Sequence, residues 1–100
     1  MKAKITKYGE NKDLWFLCPA CKVSHTVRVE GGINYWDWNK SLESPTISPS
    51  ILTWWNEGDK AFRCHSFVTD GRILFCDDSN HSLAGKTVDL PELTDDSVQY

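Results

Sequence analysis

The chain lacks any apolar run approaching the ~18 residues that cross a bilayer, which excludes a helical membrane protein. Its opening, MKAKITKYGE, has no apolar segment behind its lysines, so a secretory signal is not expected. Cationic excess is missing too. The 11 Lys and Arg are scattered and stand against 14 Asp and Glu, for a formal net charge of -3. Nonspecific nucleic-acid binding needs a basic footprint, and this chain does not offer one. Helical periodicity is almost absent, and there is no repeat, low-complexity segment or linker. No H-E-x-x-H, no H-x-E paired with P-C-x-x-C and no G-x-S-x-G occurs, so the usual signatures of zinc proteases, deaminases and α/β-hydrolases are excluded.

What is present is a string of short segments rich in β-branched and aromatic residues: AKITKY, LWFLC, TVRVE, INYWDW, SILTWW, AFRCHSFVT, RILFC and KTVDL. Gly, Pro, Asn or Asp punctuate them. These predict one mostly-β domain over residues 1–100, a small sheet, sandwich or partial barrel of seven or eight strands with little or no helix, and residues 91–100 as an acidic tail. The sharpest local signal is FRCHSFVTDGRILFC, where Asp70-Gly71 between alternating runs predicts a two-residue hairpin. The register then pairs Thr69 with Arg72, Val68 with Ile73, Phe67 with Leu74 and Ser66 with Phe75. Cys64 falls on the core face with Val68, Ile73 and Phe75, while His65 and Cys76 share the other.

Five of the aromatic residues are Trp, a high load for 100 residues. Pro45 and Pro49 keep the segment WDWNKSLESPTISPSILTWW extended. Trp36, Trp38, Trp54 and Trp55 either tuck over a sheet face as core or line a binding groove.

The motif CPAC, Cys18 to Cys21, precedes KVSHTVRVE, which alternates like a strand. A redox pair would open a helix instead, so the context favours a knuckle between two strands that aims two sulfurs at a metal ion. Structural disulfides are rare in the cytosol, where the chain is expected to reside, in a bacterium or a phage-infected host. Zn²⁺ needs two further ligands. Cys64 is the first choice, against the alternative of a small apolar filler. His25, alternating with Val27 and Val29, ranks ahead of His65, His81 and Cys76 for the fourth position. A Cys3His set suits a closed structural site.

CPAC with His25, followed in order by WDWN, SPTISPSI, CHSFVTDGRI and HSLAGKTVDLP, resembles a family of small phage- and prophage-encoded zinc-binding proteins of unknown function. The resemblance runs from about Leu14 to Leu90. Some members bear the name ammonia monooxygenase, which the lack of a membrane span and of a copper cage contradicts here. The resemblance implies a compact zinc domain and points to Cys18, Cys21, His25, Cys64, His65 and His81. Cys76 is outside the pattern, and related sequences can carry a cysteine near Ser79. Some relatives lie near ubiquitin-like conjugation genes, others among anti-defence genes.

The reading taken first is a zinc-stabilised module whose Trp-bearing surface binds a protein partner, with a host or defence protein as one specific version, rather than an enzyme. The rival is a zinc hydrolase or related enzyme built on His65, His81, Asp77 or Asp78, and Ser66, against the plainer account that the two histidines bond to backbone. A single-stranded nucleic-acid binder, stacking bases on Trp, comes third.

Overall fold

The computed structural model describes residues 1–31 and 35–93. Part of the INYWDW segment and residues 94–100 of the acidic tail lie outside them. Eight strands follow the eight predicted segments in order: β1 Lys4–Tyr8, β2 Asn11–Leu17, β3 Ser24–Glu30, β4 Asp37–Trp38, β5 Ile47–Glu57, β6 Lys60–Thr69, β7 Arg72–Phe75 and β8 Thr87–Asp89. Among the described residues there is no helix. All pairings are antiparallel, in a three-stranded sheet ordered β1-β2-β3 and a five-stranded sheet ordered β4-β5-β6-β7-β8.

Both sheets contribute to one core. Leu14, Phe16, Val27 and Val29 come from the smaller sheet, and Ile47, Ile51, Cys64, Val68, Ile73 and Phe75 from the larger. Leu90 closes the edge at 2% exposure. The β6–β7 hairpin has the predicted register, Ser66↔Phe75 through Thr69↔Arg72. Asp70 and Gly71 both adopt positive φ, 52° and 77°, which a two-residue turn of this hand needs. Because side chains alternate along a strand, Cys64, Ser66 and Val68 are buried while His65, Phe67 and Thr69 face outward.

Two irregularities position the residues that matter below. In β5 the register runs from Ile47↔Val68 to Ile51↔Ser66, so Ser48, Pro49 and Ser50 bulge opposite Phe67 alone. Beyond β7 the chain turns and lies alongside β6 instead of leaving it. Cys76 N–H donates to the His65 carbonyl at 2.8 Å, and Asn80 N–H to the Arg63 carbonyl at 3.0 Å. Side chains substitute for a strand in between. The Ser79 hydroxyl accepts from His65 N–H at 2.9 Å and donates to the His65 carbonyl at 3.1 Å. Asn80 accepts from Arg63 N–H at 2.8 Å and donates to the Ala61 carbonyl at 2.6 Å.

The four tryptophans do not share a groove. Trp54 and Trp55 are neighbours on a regular strand and so face opposite ways. Trp54 is exposed, and Trp55 stacks on Phe62 at 5.2 Å. Trp36 and Trp38 pack against the core and donate their indole N–H groups to the carbonyls of Ser50 and Ser41.

Candidate functional site: a metal-binding core and a Ser-His-Asp chain

The CPAC segment forms a tight turn between β2 and β3. Cys18 N–H donates to the Val23 carbonyl at 2.9 Å, and Lys22, at φ 64°, donates to the Cys18 carbonyl at 2.9 Å. Cys21 N–H points at the Cys18 sulfur, 3.4 Å away. The turn thus presents two sulfurs inward, toward Cys64 on β6 and His25 on β3. Donor atoms of Cys18, Cys21, His25 and Cys64 all lie within 4.8 Å of one another and could hold one metal ion.

Three features of this cluster fit a metal. The cysteines are free, and the Cys18 and Cys64 sulfurs stand 3.9 Å apart. That is far beyond a disulfide bond of ~2.05 Å. It is close to the separation of about 3.8 Å that tetrahedral geometry sets for two sulfurs each ~2.3 Å from one zinc. The His25 Nε2 atom is buried with no hydrogen-bond partner, an expensive state that a metal ion beside the ring would relieve. Finally, the three sulfurs cannot all ionise unaided. The thiol of Cys18 is pulled down to about 3, chiefly by the hydrogen bond from Cys64, aided by His25 and by Cys21 N–H. Its negative charge and burial leave the other two protonated: Cys64 is driven far up as the donor to Cys18, and Cys21 is pushed up to about 11, first by burial. A divalent cation would allow all three to be thiolates.

On the opposite face of β6, one residue along, His65 joins a second set of groups. Its Nε2 lies 3.0 Å from the Ser50 Oγ, and its Nδ1 lies 3.0 Å from Asp78 Oδ1. Ser50 reaches the imidazole from the β5 bulge, and Asp78 from the turn that Ser79 and Asn80 fasten to β6. Arg63, two residues before His65 and on the same face, donates from Nε and Nη2 to Asp78 Oδ2 at 3.1 and 3.0 Å. Burial resists ionisation of Asp78, but the hydrogen bonds from Arg63 and His65 outweigh it and hold the carboxyl below its ordinary 3.8. Cys76 also lies near this histidine, yet burial and then the charges of Asp78 and Asp77 push its thiol up. The hydroxyl of Ser50 stands against Nε2, at 3.0 Å.

Of the residues proposed from sequence for a catalytic cluster, His65 and Asp78 come together. The others do not. Ser66 points into the core, fully buried, with its Oγ unpartnered. His81 packs edge-on against Phe75 at 4.6 Å and accepts from Leu83 N–H through Nδ1, in accord with the plainer account of it. It lines an inner cleft of about 580 Å³ together with Cys21, His25, Trp55 and Phe62, not the outer face. Asp77 turns toward Gly85, where an added Cβ would meet its Oδ1 at 2.7 Å. Ser50 was not singled out from sequence, because no local motif marks it. Only the bulge and the long β5–β6 hairpin carry it across 15 positions to His65.

A family match now bears on this geometry: residues 2–76 match the family described as the bacterial ubiquitination-like system serine protease, BubE. The chain belongs to that family. The match takes in all four metal-site donors, Ser50 and His65, and ends two residues before Asp78. No curated protein and no solved structure matches the chain. Among the described residues, no helix is long and apolar enough to cross a membrane.

Proposed function

We propose that the chain is a serine protease in which Ser50 is the nucleophile, His65 the general base and Asp78 the carboxylate that orients it, on a scaffold closed by a structural Zn²⁺. The observation that carries this reading is the continuous chain Ser50 Oγ, His65 Nε2, His65 Nδ1, Asp78 Oδ1, with both links at 3.0 Å. Three separate segments converge to make it, and this is the geometry by which such triads are recognised on unrelated folds. The family's description as a serine protease of a bacterial ubiquitination-like system supports the same assignment.

The chemistry follows from the hydrogen-bond order. Asp78, ionised at neutral pH, accepts the Nδ1 proton and so leaves the Nε2 lone pair toward Ser50. As the Ser50 oxygen attacks the carbonyl carbon of a peptide bond, its proton passes to Nε2. The imidazolium, stabilised by Asp78, then delivers that proton to the departing amine. Water, deprotonated by the same nitrogen, hydrolyses the acyl-enzyme and restores Ser50. Arg63 fixes the second Asp78 oxygen, so the carboxylate cannot rotate away from the ring. Leu52, opposite His65 in the register, and Phe67, whose ring centroid is 6.3 Å from that of His65, are both exposed and continue to Leu74 opposite Phe67, offering apolar side chains of a polypeptide a place to lie. The expected protein partner is, on this reading, the substrate.

The four-donor cluster has the composition of a closed structural zinc site. Three sulfurs and one nitrogen fill a tetrahedron and leave no position for a reacting water. The ion, when bound, supplies cross-linking of the two sheets. Cys18, Cys21 and His25 hold it from the smaller sheet and Cys64 from the larger, next to the base. Free thiols in such a site suit a reducing compartment, and a cytosolic location is part of this reading.

A fluorophosphonate, which forms a covalent adduct with an activated serine, tests the assignment. Wild-type protein is expected to take one label, mapping to Ser50, and Ser50→Ala and His65→Gln are expected to take none. A label that persists in Ser50→Ala, or wild-type protein that takes none, would refute the assignment.

A further inference from the structure

The outer face of β6 holds one more chemistry-bearing side chain than a triad uses. Cys76 lies beside His65 and Asp78, and a ligating atom of each of these three residues lies within 4.8 Å of the others. We propose that His65, Cys76 and Asp78 form a second, weaker site for a thiophilic divalent cation such as Zn²⁺, and that its occupancy switches the triad off. The switching half of the proposal rests on the protease reading above; the site itself does not.

The donor set is of the right kind. Imidazole, thiolate and carboxylate are the three side chains that bind zinc, and three protein ligands with a fourth position left to water make a complete zinc coordination sphere. Thiolate and carboxylate together would neutralise the ion. All three are tied to a rigid frame. His65 is in the middle of β6, and Cys76 N–H is bonded to the His65 carbonyl. Asp78 Oδ2 accepts from Arg63, and Oδ1, which faces His65 Nδ1 at 3.0 Å, is the oxygen that a metal would take over. The cluster is partly exposed, so an ion can enter and leave, unlike the enclosed donors on the other side of the strand.

Loss of activity follows whichever imidazole nitrogen takes the ion. An ion on Nδ1 would select the tautomer whose single ring proton is on Nε2, which then faces Ser50 as a donor and cannot accept its proton. An ion on Nε2 occupies the basic lone pair outright. In both cases Asp78 is drawn from the ring to the metal. Cys76 has no part in the hydrolytic steps, so its removal weakens the switch and spares the reaction.

The probe is Zn²⁺ added to protein that already carries one equivalent, followed by equilibrium dialysis and by the rate of fluorophosphonate labelling. Wild type is expected to bind a second equivalent and to lose labelling as it does so, with recovery on dilution. Cys76→Ala and Cys76→Ser, labelled at the wild-type rate without added zinc, are expected to need about tenfold more zinc or higher, since even the loss of an outer-sphere partner costs ~10–100-fold in metal affinity. Wild type that stops at one equivalent, or Cys76 variants as sensitive to zinc as wild type, would overturn the proposal. Wild type that takes no label at any zinc concentration would defeat the protease reading and the switch with it. Dialysis would still decide the site, since a second equivalent bound by wild type and missing in both variants establishes it and its absence in wild type removes it.

Discussion

The two faces of β6 carry opposite kinds of chemistry one residue apart. Inward, Cys64 is 1% exposed and meets donors from the other sheet; outward, His65 meets a serine and an aspartate that are open to solvent. The inward group can hold a permanent ion because burial removes competing water and the donors form a closed set. The outward group must stay accessible, so its geometry is kept by hydrogen bonds from Ser79, Asn80 and Arg63 rather than by enclosure. The strand separates the two simply by alternation, and the Asp70-Gly71 turn sets the register on which that alternation depends. A slip of one residue would exchange thiol and imidazole.

The comparison breaks most severely if the inner face is disturbed. Withdrawal of the metal by a strong chelator, or Cys64→Ser, is expected to unfold the domain and abolish activity together, because a structural zinc supplies ~10–16 kcal/mol in small zinc-dependent domains. Circular dichroism and labelling should fall in parallel; retention of β structure with full labelling would show the faces to be independent. At neutral pH, uptake of the ion by the unfolded, metal-free chain should release about three protons, one from each cysteine, since thiols in an unfolded chain keep their ordinary pKa of ~8.5. Affinity should therefore weaken as pH falls, and calorimetry in buffers of different ionisation enthalpy measures the proton count.

Disturbing the outer face should do the reverse, costing activity and sparing the fold. Ser50→Ala is expected to lower hydrolysis by roughly 10⁴–10⁶-fold with an unchanged melting temperature. Asp78→Asn should cost roughly 10⁴-fold, because an amide at that position favours the wrong imidazole tautomer. Arg63→Gln should act more gently, by about tenfold in kcat with KM little changed, since Arg63 acts through Asp78; Arg63→Lys should recover part of the loss. An equal loss in KM would instead assign Arg63 to substrate binding. The smallest effect sharpens the contrast between two serines. Ser66→Ala should leave labelling untouched and raise stability by ~1 kcal/mol, because it removes a buried hydroxyl that has no partner. A loss of labelling in Ser66→Ala would reverse the roles given to Ser50 and Ser66.

Much of the fold was legible because it rests on local rules. Alternating apolar residues marked the strands, and Asp70-Gly71 marked a turn that sets the register of the hairpin and hence the burial of Cys64. The candidate metal donors were legible for a similar reason. CPAC before an alternating strand is a local signal, and His25 shares the inward phase of Val27 and Val29. The Trp residues misled because Trp36, Trp38, Trp54 and Trp55 were grouped by type, although alternation alone sends Trp54 and Trp55 to opposite faces. For the outer site, only His65 and Asp78 were visible. Ser66, adjacent to His65 in the chain, drew attention that belonged to Ser50, and nothing near Ser50 announces its role.

The amino-acid sequence by itself determined a mostly-β domain of short strands, the inward phase of the candidate metal donors and the outward phase of His65, since strand periodicity and turn chemistry act over a few residues. Tertiary structure alone decided which hydroxyl meets the imidazole and which of Asp77 and Asp78 orients it. Those outcomes depend on a bulge in β5 and on a turn that returns to β6, features set by packing and cross-chain hydrogen bonds that no single segment encodes.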